Sequence, residues 1–307
     1  MSIESRGFNQ TVKTILSLDE GLFVNNYRNK DRRSPPRFDT TQKGLLVADF
    51  DDTLFDIHYK MFREEIRRTN TNPNIPLICA RNYQLCSKST ERYNQVLWPL
   101  LDLYYYKRWG LDFDKVMEMA SNAPLKKGVV ELFHDLQATK RVEIAINSFG
   151  MKPFIERVLE SHGLTGIHVM ANPIVNEEEG QMGVDLQGEE FDPYDVTQWP
   201  SEPLTHVANE YIKDYPVLPA TKGKTLRGLE NKLGIDPSNT VVVGDSGGDV
   251  NMFRACEGLR IAQVNDREHF LRDPRLQTIL KSTDLIALQP DGGFDLASQA
   301  IRERMLI

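Results

Sequence analysis

Cysteine is scarce in this sequence. Three cysteines occur among 307 residues, Cys79, Cys86 and Cys256, and no two of them have CxxC spacing. An odd number of cysteines without such spacing indicates neither a disulfide framework nor a zinc site. We therefore expect ordinary reduced thiols, which are typical of cytoplasmic proteins.

Long apolar runs and an excess of positive charge are also missing. Runs such as GLLVA and TVVVG are far shorter than the roughly 18 residues of a membrane-spanning helix, and the opening MSIESRGFNQTVKTIL has no apolar signal core. The formal net charge is −7, which gives no basic surface for nucleic acid. These absences predict a cytoplasmic protein that binds neither membranes nor nucleic acids.

Short apolar runs alternate with amphipathic segments along much of the chain. Five runs have the length of buried strands: GLLVAD (44–49), VEIAIN (142–147), IHVMA (167–171), TVVVGD (240–245) and LRIAQV (259–264). Helical patterns between them cover 128–139, 152–163 and 224–234, and the last two end in Gly163 and Gly234, which suit a left-handed helix cap. This alternation predicts an α/β fold with a doubly wound, Rossmann-like parallel sheet, whose ligands bind at the carboxyl ends of the strands.

Three stretches do not follow the alternation. Residues 1–43 are polar, with RNKDRRSPPRFDTTQ crowding charges around two prolines, and are expected to form an irregular arm. Residues 57–123 are rich in helix formers and aromatics, and we interpret them as a helical cap inserted after the first strand. The α/β core then comprises 44–56 and 124–307, within which the proline-rich stretch at about 185–220 is expected to be a loop.

Two of the strand runs end in acidic clusters. Asp49 and Asp51 follow the first run, and Asp245 and Asp249 follow TVVVG, separated by SGG. Crowded carboxylates repel one another unless a positive charge lies between them, and carboxylate oxygens suit a hard cation such as Mg²⁺. Taken alone, each cluster could be a solvated turn that caps the next helix, but two such clusters at the ends of strands that all point the same way favour a shared metal site.

A hydroxyl and a lysine complete the candidate site. Ser148 ends the second strand run and could donate to a phosphate oxygen, or could cap the following helix. Lys222 and Lys224 precede the helix that leads to the second acidic strand, and either could be a solvated surface lysine. A lysine beside an acidic cluster can also balance charge and position a phosphoryl group.

With these four motifs, DFDDT, NS, KGKTL and GDSGGD, the sequence resembles the haloacid dehalogenase superfamily of hydrolases, over residues from about 44 to 300. The helical insertion after the first motif is similar to the C1-type cap of the phosphoserine-phosphatase-like branch. The sequence departs from that branch in residues 1–43, in the NSFG turn and in the extra segment 189–219. These departures concern the substrate and not the chemistry.

The resemblance implies a role for each matching residue. Asp49 resembles the nucleophile that forms an aspartyl phosphate, and Asp51 resembles the general acid/base. Mg²⁺ would be held by the side chain of Asp49, the backbone carbonyl of Asp51 and Asp245, with Asp249 supporting the site. Ser148 and Lys222 resemble the phosphate-binding residues, and Lys222 is chosen over Lys224 because KGxxL matches the family pattern.

These expectations describe a Mg²⁺-dependent phosphatase that hydrolyses a small phosphorylated metabolite, since a cap of this size should exclude bulky partners. The alternatives are a phosphotransferase and a catalytically silent phosphate-binding protein on the same fold. A dinucleotide-dependent oxidoreductase is disfavoured because the first turn, DFDDT, contains no glycine. A receiver-type phosphorylation switch is disfavoured by the length of the chain and by the insertion. No feature of the sequence predicts an oligomeric state.

Overall fold

A seven-stranded sheet forms the centre of the protein. The computed structural model describes residues 3–25, 27, 35–56, 58–69, 111, 113–172 and 221–305. The strands are β1 Gly21–Val24, β2 Gly44–Ala48, β3 Val142–Met151, β4 His168–Asn172, β5 Thr240–Gly244, β6 Leu259–Val264 and β7 Leu285–Leu288. Their order is β1-β7-β6-β5-β2-β3-β4, and all neighbouring pairs are parallel except β1 with β7.

The central strands are buried on both faces, as their continuous apolar runs predict. Leu46 and Ala48 of β2 belong to the apolar cluster on one face of the sheet, and Leu45 and Val47 belong to the cluster on the other face. Side chains alternate between the two faces along a strand, so each face needs its own layer of helices. The predicted doubly wound α/β fold is therefore confirmed.

Helices cover both faces. They are α1 Ile3–Ser17, α2 His58–Thr69, α3 Phe113–Ser121, α4 Val129–Ala138, α5 Lys152–Ser161, α6 Lys222–Leu233, α7 Val250–Ala255, α8 Arg267–Arg272, α9 Leu276–Ser282 and α10 Asp295–Met305. Helices α4, α5 and α10 pack on the first cluster, and α6, α7 and α9 pack on the second. Gly163 and Gly234 have positive φ angles of 71° and 65°, which confirms that both suit left-handed helix ends.

The expectation of an irregular N-terminal arm is wrong for much of residues 1–43. Helix α1 packs one apolar face on the core through Phe8, Val12 and Ile15, whose spacing is helical. Strand β1 then pairs antiparallel with β7, from Gly21 opposite Leu288 to Val24 opposite Leu285. The polar composition concealed these elements because a surface helix needs only one apolar stripe, and because a short edge strand is stabilised by its neighbour.

The structure describes the two ends of the insertion after β2, and each of these ends contains a helix. Helices α2 and α3 agree with the helical interpretation of 57–123, and Phe62, Ile66, Val116 and Ala120 are buried in the first cluster. Residues 70–110 and the predicted loop at 185–220 lie outside the described residues. The division into core and cap, and the role of 189–219, therefore stay predictions.

None of the helices in the described ranges has both the length and the apolarity that crossing a membrane would require.

Candidate active site

Three neighbouring strands bring the predicted site residues to one edge of the sheet. Strand β2 lies between β3 and β5, and Ala48 is opposite Ile146 on one side and Val243 on the other. Asp49 directly follows β2, Asp245 directly follows β5, and Ser148 lies two positions beyond Ile146 in β3. The parallel arrangement thus places these side chains at the carboxyl edge, where α/β sheets bind their ligands.

Asp49 is held at the end of β2 by hydrogen bonds. Its backbone N–H donates to the carbonyl of Val243 over 2.9 Å, which continues the sheet ladder. Its Oδ1 accepts from the N–H of Phe50 at 2.8 Å and lies 2.8 Å from the ammonium of Lys222. Asp49 is 7% exposed, so its carboxylate is fixed and largely shielded from water.

Asp249 lies on a tight turn after β5. Its Oδ2 accepts from the N–H groups of Asp245 and Ser246, over 3.1 and 3.2 Å, so this carboxylate orders the turn that carries Asp245. Gly244 is required here, because a Cβ at this position would lie 2.4 Å from the carboxyl carbon of Asp249. Asp249 acts as a structural cap in this turn, and its other oxygen reaches Lys222.

Lys222 is the buried cation of the site. It is the first residue of α6, is 1% exposed, and places its Nζ 2.6 Å from Asp249 and 2.8 Å from Asp49. Gly223 allows α6 to lie close to α7, since a Cβ there would be 2.5 Å from the carbonyl oxygen of Asn251. Lys224 is exposed. Of the two candidate lysines, the structure thus places Lys222 among the acids and Lys224 on the surface.

Three carboxylates face this one lysine. One oxygen from each of Asp49, Asp245 and Asp249 lies within 4.8 Å of the others. Burial, followed by the charge of Asp249, raises the pKa of Asp49 from 3.8 to about 8, although Lys222 opposes the shift. Burial alone would lower the pKa of Lys222, but the charges of Asp249 and Asp49 raise it, so the ammonium stays charged.

The charge balance of these four groups fits a divalent cation. Three carboxylates against one ammonium leave two uncompensated negative charges, and all the donor atoms are carboxylate oxygens, which suit hard cations. The predicted ligands Asp49, Asp245 and Asp249 therefore meet. The carboxylate of Asp51 is outside this group, so for Asp51 only the backbone carbonyl remains as the ligand that the sequence resemblance implies.

Ser148 and Asp51 flank the cluster. Ser148 is 1% exposed, and its Oγ accepts from the N–H of Gly150 at 2.9 Å, which leaves its hydroxyl proton available to a further acceptor. Asp51 is half-buried, and its charge adds to the raised pKa of Asp49, so the two carboxylates lie within electrostatic reach.

Several supporting residues were missed by the sequence reasoning. The hydroxyl of Thr53 donates to Asp245 at 3.0 Å. The amide of Asn147 donates to the carbonyl of Lys222 at 2.9 Å and accepts from Thr225 at 3.1 Å, which fixes the start of α6 against β3. Asn147 lies in the NS motif and Thr225 lies in the KGKTL motif. Their positions inside these motifs were the sequence feature from which a supporting role could have been predicted.

The raised pKa of Asp49 predicts a pH-dependent effect of Mg²⁺ on stability. Asp49 has a pKa of 3.8 in the unfolded chain and of about 8 in the folded metal-free protein. Between these pH values the folded state binds more protons than the unfolded state, so the stability of the metal-free protein should fall as pH rises. Mg²⁺ competes with these protons, so it should raise the melting temperature more at pH 8 than at pH 5. Thermal unfolding in EDTA and in MgCl₂ at both pH values measures this difference, and equal increments would contradict it.

Comparison with known proteins agrees with the fold and the motifs. A sequence model of the sucrose-6F-phosphate phosphohydrolase family matches residues 210–281, which include Lys222, Asp245 and Asp249. No curated protein matches the sequence significantly.

Similar solved structures cover most of the chain. A substrate-bound phosphoserine phosphatase has a TM-score of 0.51 and 18% identity, over 86% of this chain and 99% of that one. A gene product from Archaeoglobus fulgidus has a TM-score of 0.55 and 20% identity, over 85% and 82% of the two chains. A cytosolic 5′-nucleotidase IIIB bound to cytidine has a TM-score of 0.52 and 14% identity, over 97% and 90%.

The strand order, the acidic strand ends and the family model matched over residues 210–281 agree with the resemblance drawn from the motifs, and the chain has a fold similar to that of phosphoserine phosphatases.

Proposed function

We propose that this protein is a Mg²⁺-dependent phosphatase that hydrolyses a small phosphomonoester through an aspartyl phosphate on Asp49. The observation that supports it most is the position of Asp49: a buried carboxylate 2.8 Å from the Lys222 ammonium and grouped with Asp245 and Asp249. A carboxylate so placed can attack phosphorus while fixed positive charge compensates the transferring group.

Asp49 and Asp51 divide the proposed chemistry. An oxygen of Asp49 forms a bond to phosphorus while the bond from phosphorus to the ester oxygen breaks, and Asp51 gives its proton to the departing alkoxide. Asp51 then takes a proton from water, whose oxygen attacks phosphorus and breaks the bond to Asp49. Inorganic phosphate leaves, and both carboxylates return to their starting state.

Other residues bind the phosphoryl group and the metal. Lys222 and the hydroxyl of Ser148 would hold the phosphoryl oxygens, since both lie at the edge where Asp49 is presented. Asp49, Asp245 and the backbone carbonyl of Asp51 would hold Mg²⁺, with Asp249 supporting the turn. When bound, the ion would compensate the charge that develops on the transferring phosphoryl group.

The substrate is proposed to be a small phosphorylated metabolite, because helices of the inserted segment pack against the core that carries the site. We also propose a cytoplasmic location, because the cysteine pattern contains no disulfide framework and Cys256 is a buried free thiol.

Release of inorganic phosphate from a panel of phosphomonoesters tests the proposed function. The panel takes phosphoserine, a nucleoside monophosphate and a sugar phosphate from the names of the similar proteins, and adds p-nitrophenyl phosphate. We expect turnover that requires Mg²⁺ and stops on chelation. Mg²⁺ binding without phosphate release from any ester would overturn the proposal in favour of a phosphotransferase or a silent phosphate-binding protein.

A further inference from the structure

The loop that carries Asp51 is a tight turn. The N–H groups of Leu54 and Phe55 both donate to the carbonyl of Phe50, over 2.9 and 3.0 Å, and Asp51 forms a backbone bridge with Phe55. Asp52, at the centre of this turn, has a φ angle of +56°, a left-handed conformation that costs free energy in residues other than glycine, although less in Asp and Asn than in most. The turn therefore needs support from outside to stay in this shape.

Two side chains from distant parts of the sequence supply that support. The ammonium of Lys126 and the amide of Asn265 both donate to the carbonyl of Asp52, the latter over 2.5 Å. The backbone N–H of Lys126 also donates to the carbonyl of Leu54 at 2.9 Å. We call Lys126 and Asn265 the loop clamp.

The clamp is itself fixed in place. The amide of Gln263 donates to Asn265 at 2.7 Å and to the carbonyl of Gly293 at 3.0 Å, which sets the orientation of the Asn265 side chain. Lys126 is 9% exposed, and its ammonium lies within electrostatic reach of Asp52, Asp245 and Asp51. Burial of the Lys126 ammonium is costly, the neighbouring acids offset part of that cost, and no part of the proposed chemistry uses this lysine.

Lys126 also lies at the exit from the inserted segment. The predicted insertion, residues 57–123, begins after the Asp51 loop in the sequence and ends three residues before Lys126. Lys126 thus connects the chain on both sides of the insertion, through its contacts with the carbonyls of Asp52 and Leu54.

We propose that Lys126 and Asn265 are positioning residues that clamp the carbonyl of Asp52 and thereby hold Asp51 in place for proton transfer to the leaving oxygen. This inference rests on the proposed function, in which Asp51 is the general acid. A loop free to relax at Asp52 would displace the carboxylate of Asp51, and at saturating Mg²⁺ it would leave Asp49, Lys222 and the acidic turn after β5 in place.

Leaving groups of different basicity separate this role from a general loss of structure. An alkyl phosphate needs a proton on its departing oxygen, whereas p-nitrophenolate leaves without one. Removing the clamp should therefore lower kcat for an alkyl phosphate by about 10- to 100-fold, less than the roughly 10²- to 10⁴-fold that general acid catalysis contributes in full, and should change kcat for p-nitrophenyl phosphate by less than about 3-fold. KM should change little for either ester.

The variants are Lys126→Met and Asn265→Asp. The second variant removes the amide N–H donor of Asn265 while keeping the shape of the side chain. Lys127→Met is the matched control, because Lys127 is exposed and pairs with Asp295 on the surface at 3.1 Å. Lys126→Arg should restore much of the lost kcat, and Asp51→Asn should show the same dependence on leaving group. Since Lys126→Met could fail to fold, melting temperatures are measured for all variants, and Asn265→Asp provides an independent test.

An equal loss for both esters, or no loss in either clamp variant, would overturn the inference and leave the phosphatase proposal intact. Absence of the leaving-group dependence in Asp51→Asn would overturn the role of Asp51 and this inference with it. Failure of the phosphatase proposal is recognised separately, by turnover that survives Asp49→Asn.

Discussion

Asp49→Asn should abolish phosphate release from every ester while the protein stays folded. The amide has no free charge with which to attack phosphorus, so we expect turnover to fall by at least roughly 10⁴-fold. Quenching wild-type enzyme during turnover of a ³²P-labelled ester should leave label on the protein, and the variant should carry none. Phosphate release and protein-bound label, measured in parallel, check both statements.

The same substitution should not destabilise the protein. Burial and Asp249 make the charge of Asp49 unfavourable, as its raised pKa of about 8 indicates, so a neutral amide should hold or raise the melting temperature in EDTA at pH 8. Asp135→Asn is the matched control, because Asp135 is half exposed and pairs with Arg302 on the surface at 2.8 Å. Turnover of Asp49→Asn within tenfold of wild type would place the nucleophile elsewhere.

Lys222→Met should cost both stability and activity. The lysine is 1% exposed and is the cation shared by Asp49 and Asp249, so its removal leaves buried carboxylates without their partner. Breaking a buried ion pair on one side typically costs about 3–5 kcal/mol, and we expect a loss of that size in urea unfolding without metal. Turnover should fall by roughly 10²- to 10³-fold, the scale of a lost donor to a developing charge.

Two further variants test whether the effect of Lys222→Met comes from the loss of its buried charge. Lys224→Met changes an exposed lysine of the same helix and should stay within about 0.5 kcal/mol of wild type. The double variant Lys222→Met/Asp249→Asn removes opposite charges together, so it should recover much of the stability and none of the activity. A Lys222→Met protein as stable and as active as Lys224→Met would contradict the role of Lys222 as the cation shared by Asp49 and Asp249.

The central sheet and the acidic strand ends were predictable because their signals are local. A strand buried on both faces must be apolar throughout, so β2, β3, β5 and β6 each stand out as short runs in the sequence. Parallel strands present their carboxyl ends at one edge of the sheet, so the acids after both strands were expected at that edge. The pairing of β2 with β5, which brings Asp49 next to Asp245, was decided by the tertiary structure.

Elements whose stability depends on a distant partner were not predictable in this way. Strand β1 has four residues, and it exists because β7, more than 250 positions away, offers an edge to pair with. Helix α1 shows only a narrow apolar stripe in a polar segment, and the core it covers is formed by later residues.

The sequence by itself determined the central strands, the helices between them, the acidic strand ends and the family they resemble, because these depend on the periodicity and spacing of neighbouring residues. Only the tertiary structure decided which lysines are buried among the acids. In the sequence, only the motif resemblance separated Lys222 from Lys224, and nothing separated Lys126 from a surface lysine, whereas Lys224 and Lys127 do lie on the surface. The burial of a lysine depends on residues that are distant in the sequence. The contact of Asn265 with the Asp52 carbonyl beside Lys126, for example, joins residues 213 positions apart, and no local pattern encodes a contact at that separation.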